Sequence, residues 1–357
     1  MILPQGGRSR PGPSRERSGQ ALIASLFWVL GGLLFVAPFL RDADHADLVY
    51  EDPVRKTSEV DIPFEEDLQV LLEELEIDLA GPLSEESEKR FAMDGDALAA
   101  SGLLEVGRLE GGREQYDKHC TGCHGAAGDG AGPAVPHLNP RPRNFRKGVF
   151  KFTSTESGRR PARADIFGTI TRGLAGSSMP EFRLYSEEIR WDLVEYVRYL
   201  AIRGEFEQLA LDLAWEEEEL PDFDEVYEIV SDRWSERSTR SVYPAIAETE
   251  NDAESVARGR ALFLDETGAN CASCHGEGGA GDGPAATDTL DDWGYPIRPR
   301  DLRTGTYRAG SAPADLYRSI STGINGTPMP AYGGAIEPEA MWDLVHFVQS
   351  LSQGGAQ

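Results

Sequence analysis

The sequence predicts an all-α protein: two similar helical domains in tandem after an N-terminal transmembrane helix, with acidic, partly helical linkers. Three observations predict this. A long apolar run near the N-terminus carries no charge, the second half of the chain repeats the first, and apolar residues recur at helical spacing with no strand pattern beside them. The expected division is a basic tail at 1–20, an anchor at 21–40, an acidic linker at 41–102, a first domain at 103–203, a second acidic linker at 204–254 and a second domain at 255–357.

The anchor follows from length and charge. Arg8, Arg10, Arg15 and Arg17 precede the uncharged residues 21–40. At about 1.5 Å per residue, a helix of that length spans roughly 30 Å, the hydrocarbon thickness of a bilayer. Arginines before the run and acids after it place the N-terminus in the cytoplasm and the rest on the outer, periplasmic side. The competing reading is a cleaved signal peptide, but the run is long and no good small-x-small site follows promptly. Either way the body of the protein is exported.

A net charge of −26 argues against nucleic-acid binding, because a phosphate backbone would be repelled. The charge is concentrated in the linkers. Residues 42–102 sum to −15 and residues 204–254 to −14, whereas the two domains carry +4 and −5. Apolar residues lie among these acids, so partial helices are expected there, in segments that otherwise read as solvated connectors.

The repeat has a spacing of about 150 residues. Gly112-Arg113 and Tyr116 answer to Gly259-Arg260 and Phe263. Arg141-Pro-Arg143 answers to Arg298-Pro-Arg300, with Gly148 and Gly305 following at matched positions. Met179-Pro180 pairs with Met329-Pro330, and the closing helices share Trp-Asp-Leu-Val at 191–194 and 342–345. Insertions separate these blocks, residues 156–160 in the first copy and 291–295 in the second. Each closing helix begins with helix-start chemistry: Ser186 followed by two glutamates in one, Pro338 in the other. A glycine four residues before an aromatic, in each opening helix, suits close crossing of two helices. The Gly- and Pro-rich stretches are turns, and so few helices in about 100 residues need something further to fill the core.

The cysteines supply that filler. In an oxidising compartment four would suggest two disulfides. Their arrangement, Cys120-Thr-Gly-Cys123-His124 and Cys271-Ala-Ser-Cys274-His275, is instead the attachment pattern for covalent haem c, one per copy. Two thiols fix the porphyrin and the adjacent histidine is aimed at the iron. A redox dithiol or half a zinc site needs no such histidine.

Five methionines are available for the sixth iron position. Met179 lies 55 residues after His124 and Met329 lies 54 after His275, each followed by proline. A loop methionine is ordinarily a core filler, but the repetition of frame and distance marks these two as iron ligands. Met341 starts a closing helix, where core packing is expected, and Met93 precedes both copies. His45, His119, His137 and His346 have no repeat counterparts and read as structural or solvent-facing. Arg143 and Arg300 are candidates to hold haem propionates, the alternative being a turn anchored to the backbone.

On these motifs, residues 103–203 and 255–357 resemble class I c-type cytochrome domains in tandem. The resemblance implies an all-α fold around haem, with His124 and His275 proximal and Met179 and Met329 distal. An N-terminal anchor plus two such domains is similar to the dihaem cytochrome subunits of respiratory oxidases and related membrane complexes. The two acidic segments and the Arg-Pro-Arg blocks depart from that pattern. Histidine–methionine ligation raises the potential and closes the iron to peroxide and oxygen, unlike the dihaem peroxidases.

The expected function is therefore non-enzymatic electron transfer within or between respiratory complexes at the outer face of the inner membrane. The partners expected are a membrane complex or a basic soluble cytochrome. A rival reading is the haem subunit of an oxidoreductase such as a dihaem thiosulfate dehydrogenase, against which the lack of a fifth cysteine counts. A third is a tether that docks another redox protein through its acidic arms.

Overall fold

The computed structural model describes residues 79–241, 246–287 and 289–353. The run at 21–40 lies outside them. Among the described residues no helix is long and apolar enough to cross a membrane, and there is no strand beyond one isolated bridge between Leu290 and Pro296. The chain is helical, as the periodicity requires, and both repeats belong to the same compact unit.

In the first repeat, α3 (Leu109–His119) and the short α4 (Thr121–His124) carry the cysteines, α5 (Arg163–Arg172) follows a long loop, and α6 (Glu187–Glu217) closes the domain. Ahead of them stand α1 (Ala80–Phe91) and α2 (Asp96–Ala100), and after them α7 (Phe223–Trp234). The second repeat is built from α8 (Ala253–Leu264), α9 (Ala272–His275), α10 (Pro313–Thr322) and α11 (Pro338–Gln353).

The opening and closing helices of each repeat cross at a glycine. A Cβ at Gly112 would overlap the Asp192 carbonyl oxygen, and one at Gly259 the Asp343 carbonyl oxygen. With hydrogen there instead, the backbones approach closely and the aromatics one turn on can meet. Tyr116 packs on Tyr196 at 5.2 Å and Phe263 on Phe347 at 5.1 Å between ring centroids. The middle helices start alike: the Asp165 and Asp315 carboxylates accept from the backbone N–H of Ala162 and Ala312, at 3.0 and 3.3 Å. Acids there also complement the helix dipole. Ser186 caps α6, its hydroxyl accepting from the Ile189 N–H.

Residues 204–241 differ from a solvated connector. The closing helix of the first repeat does not stop near 203 but runs unbroken to Glu217, and α7 packs back on it with Val226, Val230 and Trp234 buried. Gly204 permits this, since a Cβ there would press on the Arg146 backbone. Phe206, Ala210, Leu211 and Ala214 form the buried face, sharing a core with Leu83 and Phe91 of α1. The acidity that suggested solvation is partly internal. Glu207 is buried between Arg203 at 2.8 Å and Arg146 at 2.7 Å and accepts from Ser87 at 2.5 Å. Glu205 accepts from Arg160, Arg233 and Trp234. Acids of the linker neutralise arginines of the first domain.

The two repeats are docked, and both insertions lie in the contact. From 291–295, Trp293 stacks under Arg143 at 3.6 Å, Tyr295 under Arg141 at 4.6 Å, and Asp291 pairs with Lys151 at 3.4 Å. From 156–160, the Gly158 N–H donates to Asn325 Oδ1 at 3.1 Å. Thr322 Oγ1 and Asn325 Nδ2 donate to the Thr153 carbonyl and hydroxyl oxygens at 3.1 and 3.2 Å.

Candidate functional site

Helix α3 ends at His119, and one further turn, α4, sets Cys120, Cys123 and His124 along one wall of a cavity. Gly125 then turns the chain at φ +76°, a left-handed conformation that any side chain would strain. The Tyr116 hydroxyl donates to the Gly125 carbonyl at 2.8 Å, fixing the turn to α3. In the second repeat α9 likewise ends at a left-handed glycine, Gly276 at φ +74°, without the tyrosine hydroxyl, since Phe263 stands where the first has Tyr116.

Each histidine is oriented by a backbone carbonyl. His124 Nδ1 lies 3.0 Å from the Arg143 oxygen and His275 Nδ1 lies 3.2 Å from the Arg300 oxygen. A carbonyl only accepts, so Nδ1 carries the proton and Nε2 keeps its lone pair. Burial lowers both imidazole pKa values against the opposing pull of these hydrogen bonds, which keeps the rings neutral. Phe145 stacks on His124 at 4.6 Å. In the second copy the matching residue is Leu302, and the nearby ring is Phe263, tilted at 6.5 Å.

The same cavity is lined by Met179 with Ile166, Ile170 and Phe182, and Phe145, Phe150 and Leu193 add to its apolar lining. Residues far apart in sequence thus meet: His124, Met179 and both cysteines of the first copy face one space. The methionine loops are built alike. The Met179 and Met329 carbonyls accept from Leu174 and Ile324 at 3.2 and 3.1 Å, and their N–H groups donate to Ser177 and Thr327 hydroxyls. Met341 is buried in the core of the second copy and Met93 packs against the core of the first. His137 is exposed, His119 sits between Phe182 and Tyr185, and His346 is buried with Nδ1 2.7 Å from the Ser255 hydroxyl. His45 lies outside the described residues.

The donor set fits covalently bound haem. All four cysteines are free. Burial pushes the Cys120 thiol up to about 12 and Cys271 up to about 11, the opposite of the lowered pKa that a redox dithiol needs. No group of three or more His, Cys, Asp or Glu that would hold a bare metal ion occurs among the described residues. What is present is an apolar slot, two thiols, one neutral imidazole with a free Nε2 and one thioether.

The Arg-Pro-Arg blocks do more than was expected of them. Their second arginines supply the carbonyls that orient the histidines, a role carried by the backbone and invisible in a side-chain reading. Arg143 lines the cavity while stacked on Trp293, and burial lowers its pKa to about 10. Arg300 Nε donates to the Thr306 carbonyl at 2.9 Å, the turn-anchoring alternative, while its Nη atoms lie against Gly176 of the first copy. Two further cations line the first cavity, Lys151 and Arg308. The available signal was their matched position, three residues after Gly148 and Gly305.

The cytochrome c family profile matches this chain twice, at residues 109–201 and 256–352. Among curated proteins, the cbb3-type cytochrome c oxidase subunit FixP of Sinorhizobium medicae is 29% identical over 125 residues, 33% of this chain and 37% of that protein. FixP of Bradyrhizobium diazoefficiens is 32% identical over 101 residues, 28% of each chain. The matches thus span about a third of the length of these relatives. Among solved structures, a chain of a reducing HAO-like protein complex from Kuenenia stuttgartiensis superposes with a TM-score of 0.55 at 32% identity, covering 68% of this chain and 96% of that one.

Proposed function

This chain belongs to the cytochrome c family, and we propose that it is a dihaem electron-transfer cytochrome of respiratory complexes whose two docked domains form one intramolecular relay. Bound haem supplies the one-electron couple; the chain supplies attachment, ligation, insulation and approach. Cys120 with Cys123, and Cys271 with Cys274, form the thioether links. His124 and His275 would offer Nε2 to the iron, held in that tautomer by the Arg143 and Arg300 carbonyls. Met179 and Met329 would serve as the second iron ligands, and their soft thioethers would favour the ferrous state and raise the potential. The largely apolar lining of the first cavity would keep water from the group, so that little would reorganise when the charge changes.

The observation that carries this reading is that His124, Met179, Cys120 and Cys123 line one cavity although 59 positions separate the first of them from the last. Residues 21–40 would anchor the chain in the inner membrane with both domains in the periplasm, on the strength of the uncharged run and its flanking arginines. The redox partner would be a membrane complex, or a basic soluble cytochrome drawn by the acids. Ligation is tested by Met179→Ala and Met329→Ala. Each is expected to abolish the weak far-red absorption of one oxidised haem and lower that haem's potential, leaving the other unchanged. A variant that retains both bands and both potentials contradicts the assignment.

A further inference from the structure

The cationic end of the first cavity is built from both domains. Of the residues that line this cavity, Arg308 alone belongs to the second domain. Its Nε is buried and has no hydrogen-bond partner. Its position is fixed from both sides: the neighbouring Ala309 carbonyl accepts from Arg318 of its own domain at 2.6 Å and from Arg172 of the first domain at 3.3 Å. Beside it in the cavity are Lys151, whose ion pair is to Asp291 at 3.4 Å, and Arg143, whose guanidinium face stacks on the Trp293 ring and leaves its in-plane N–H groups to donate.

These cations are under-neutralised. Burial first, then the charge of Arg143 and also that of Arg308, depress the Lys151 pKa, while burial and then Arg300 depress that of Arg308. Four positive side chains gathered where two domains meet, with Asp291 in an ion pair to one of them, form a site for anions. Haem carries its two carboxylates on the edge away from its cysteine links, and the cavity lining is largely apolar, with Arg141, Arg143, Lys151 and Arg308 as cations and Asp165, held by the Ser154 and Ala162 N–H groups, as a carboxylate.

We propose that Arg308 holds a propionate of the first haem across the domain interface, together with Lys151 and Arg143. This rests on the reading of the cavity as the first haem pocket. Lys151 and Arg308 occupy the same position in the repeat, and with Arg143 they meet where the two domains dock. The propionate edge of the first haem therefore faces the second domain, and haem occupancy and domain docking support each other.

The test is an equilibrium redox titration of the full-length, haem-loaded protein, resolving one wave per haem. A Met179→His reference variant identifies the first haem's wave, since imidazole in place of thioether moves it down. Arg308→Gln is expected to shift that wave downward, because removing a positive charge beside the propionates favours the ferric state. Arg308→Lys is expected to restore most of the shift. Arg303→Gln, on an exposed arginine paired with Asp301, is expected to change little. The inference is overturned if Arg308→Gln moves only the second haem's wave, or moves the first no further than Arg303→Gln does. If Met179→His moves neither wave, the pocket assignment itself fails and the inference falls with it.

Discussion

The two haem domains share one motif set but are held together differently. In the first, the closing helix continues well past the haem core, α1 and α7 pack against the extension, and the seam is laced with buried ion pairs. The second relies on a smaller core and a local cluster, in which Ser255 donates to Asp343 at 2.6 Å and Arg258 grips that same carboxylate with two hydrogen bonds. Duplication thus preserved what the cofactor demands and left the rest free to diverge. The glycine crossing, the carbonyl behind each histidine and the methionine turn are common to both. The flanking helices and the two insertions are not, and the insertions made the two copies into one docked unit.

Charge burial gives the sharpest way to break this contrast. Glu207 has a side chain only 2% exposed and is surrounded by Arg146, Arg203 and Ser87. Glu207→Ala leaves two cations unpaired and is expected to cost the first domain about 3–5 kcal/mol, measured by denaturant unfolding. The second haem's potential is expected to stay where it was. Acid is expected to do the same gradually. Burial alone would raise the Glu207 pKa, but Arg146 and Arg203 outweigh it and hold it below its ordinary 4.5, and Glu205 is likewise lowered. A carboxylate with a depressed folded-state pKa contributes stability that is complete above its unfolded value and lost as pH falls through the folded one. The first domain is therefore expected to loosen below about pH 4.5, ahead of any change that the second domain's own groups produce, as read from circular dichroism in the haem bands.

A smaller effect is expected where the domains agree. Gly112→Ala and Gly259→Ala both press a methyl on a backbone carbonyl and are expected to cost about 1–3 kcal/mol each. Because the first domain is buttressed, Gly112→Ala is expected to leave it folded at room temperature, whereas Gly259→Ala lowers the melting temperature of the second domain visibly. Equal losses in the two domains would contradict the idea that the flanking helices stiffen the first.

These differences also mark what could be read from the sequence. Helical class and tandem layout were legible in the apolar periodicity and the repeat, and the cysteine pairs with their histidines because haem attachment demands fixed residue types at fixed spacing. The glycine crossings were legible for the same reason. Helix in 204–234 was legible from the apolar residues among the acids, but the burial of Glu205 and Glu207 was not, because they look like solvated charge until Arg146, Arg160 and Arg203 are placed around them. The Arg143 and Arg300 carbonyls were hidden because backbone atoms leave no side-chain signature. Lys151 and Arg308 were hidden because the cavity they line draws on both repeats.

No loss of stability is expected from neutralising Glu216, Glu217, Glu218 and Glu219, which are exposed at and just beyond the end of α6. Changing all four to glutamine is expected to slow electron exchange with a basic soluble cytochrome by about tenfold at low salt, with the difference vanishing as ionic strength rises. Stopped-flow mixing over a salt series checks it. A rate indifferent to both changes would make this arm a spacer.

The relay itself is tested most directly by pulse radiolysis of the full-length protein. A brief burst of reductant loads electrons onto whichever haem is met first, and their redistribution is followed in the haem bands. Docked domains predict a redistribution rate that is independent of protein concentration and survives dilution. A rate proportional to protein concentration would mean that electrons pass between molecules, and would contradict the account.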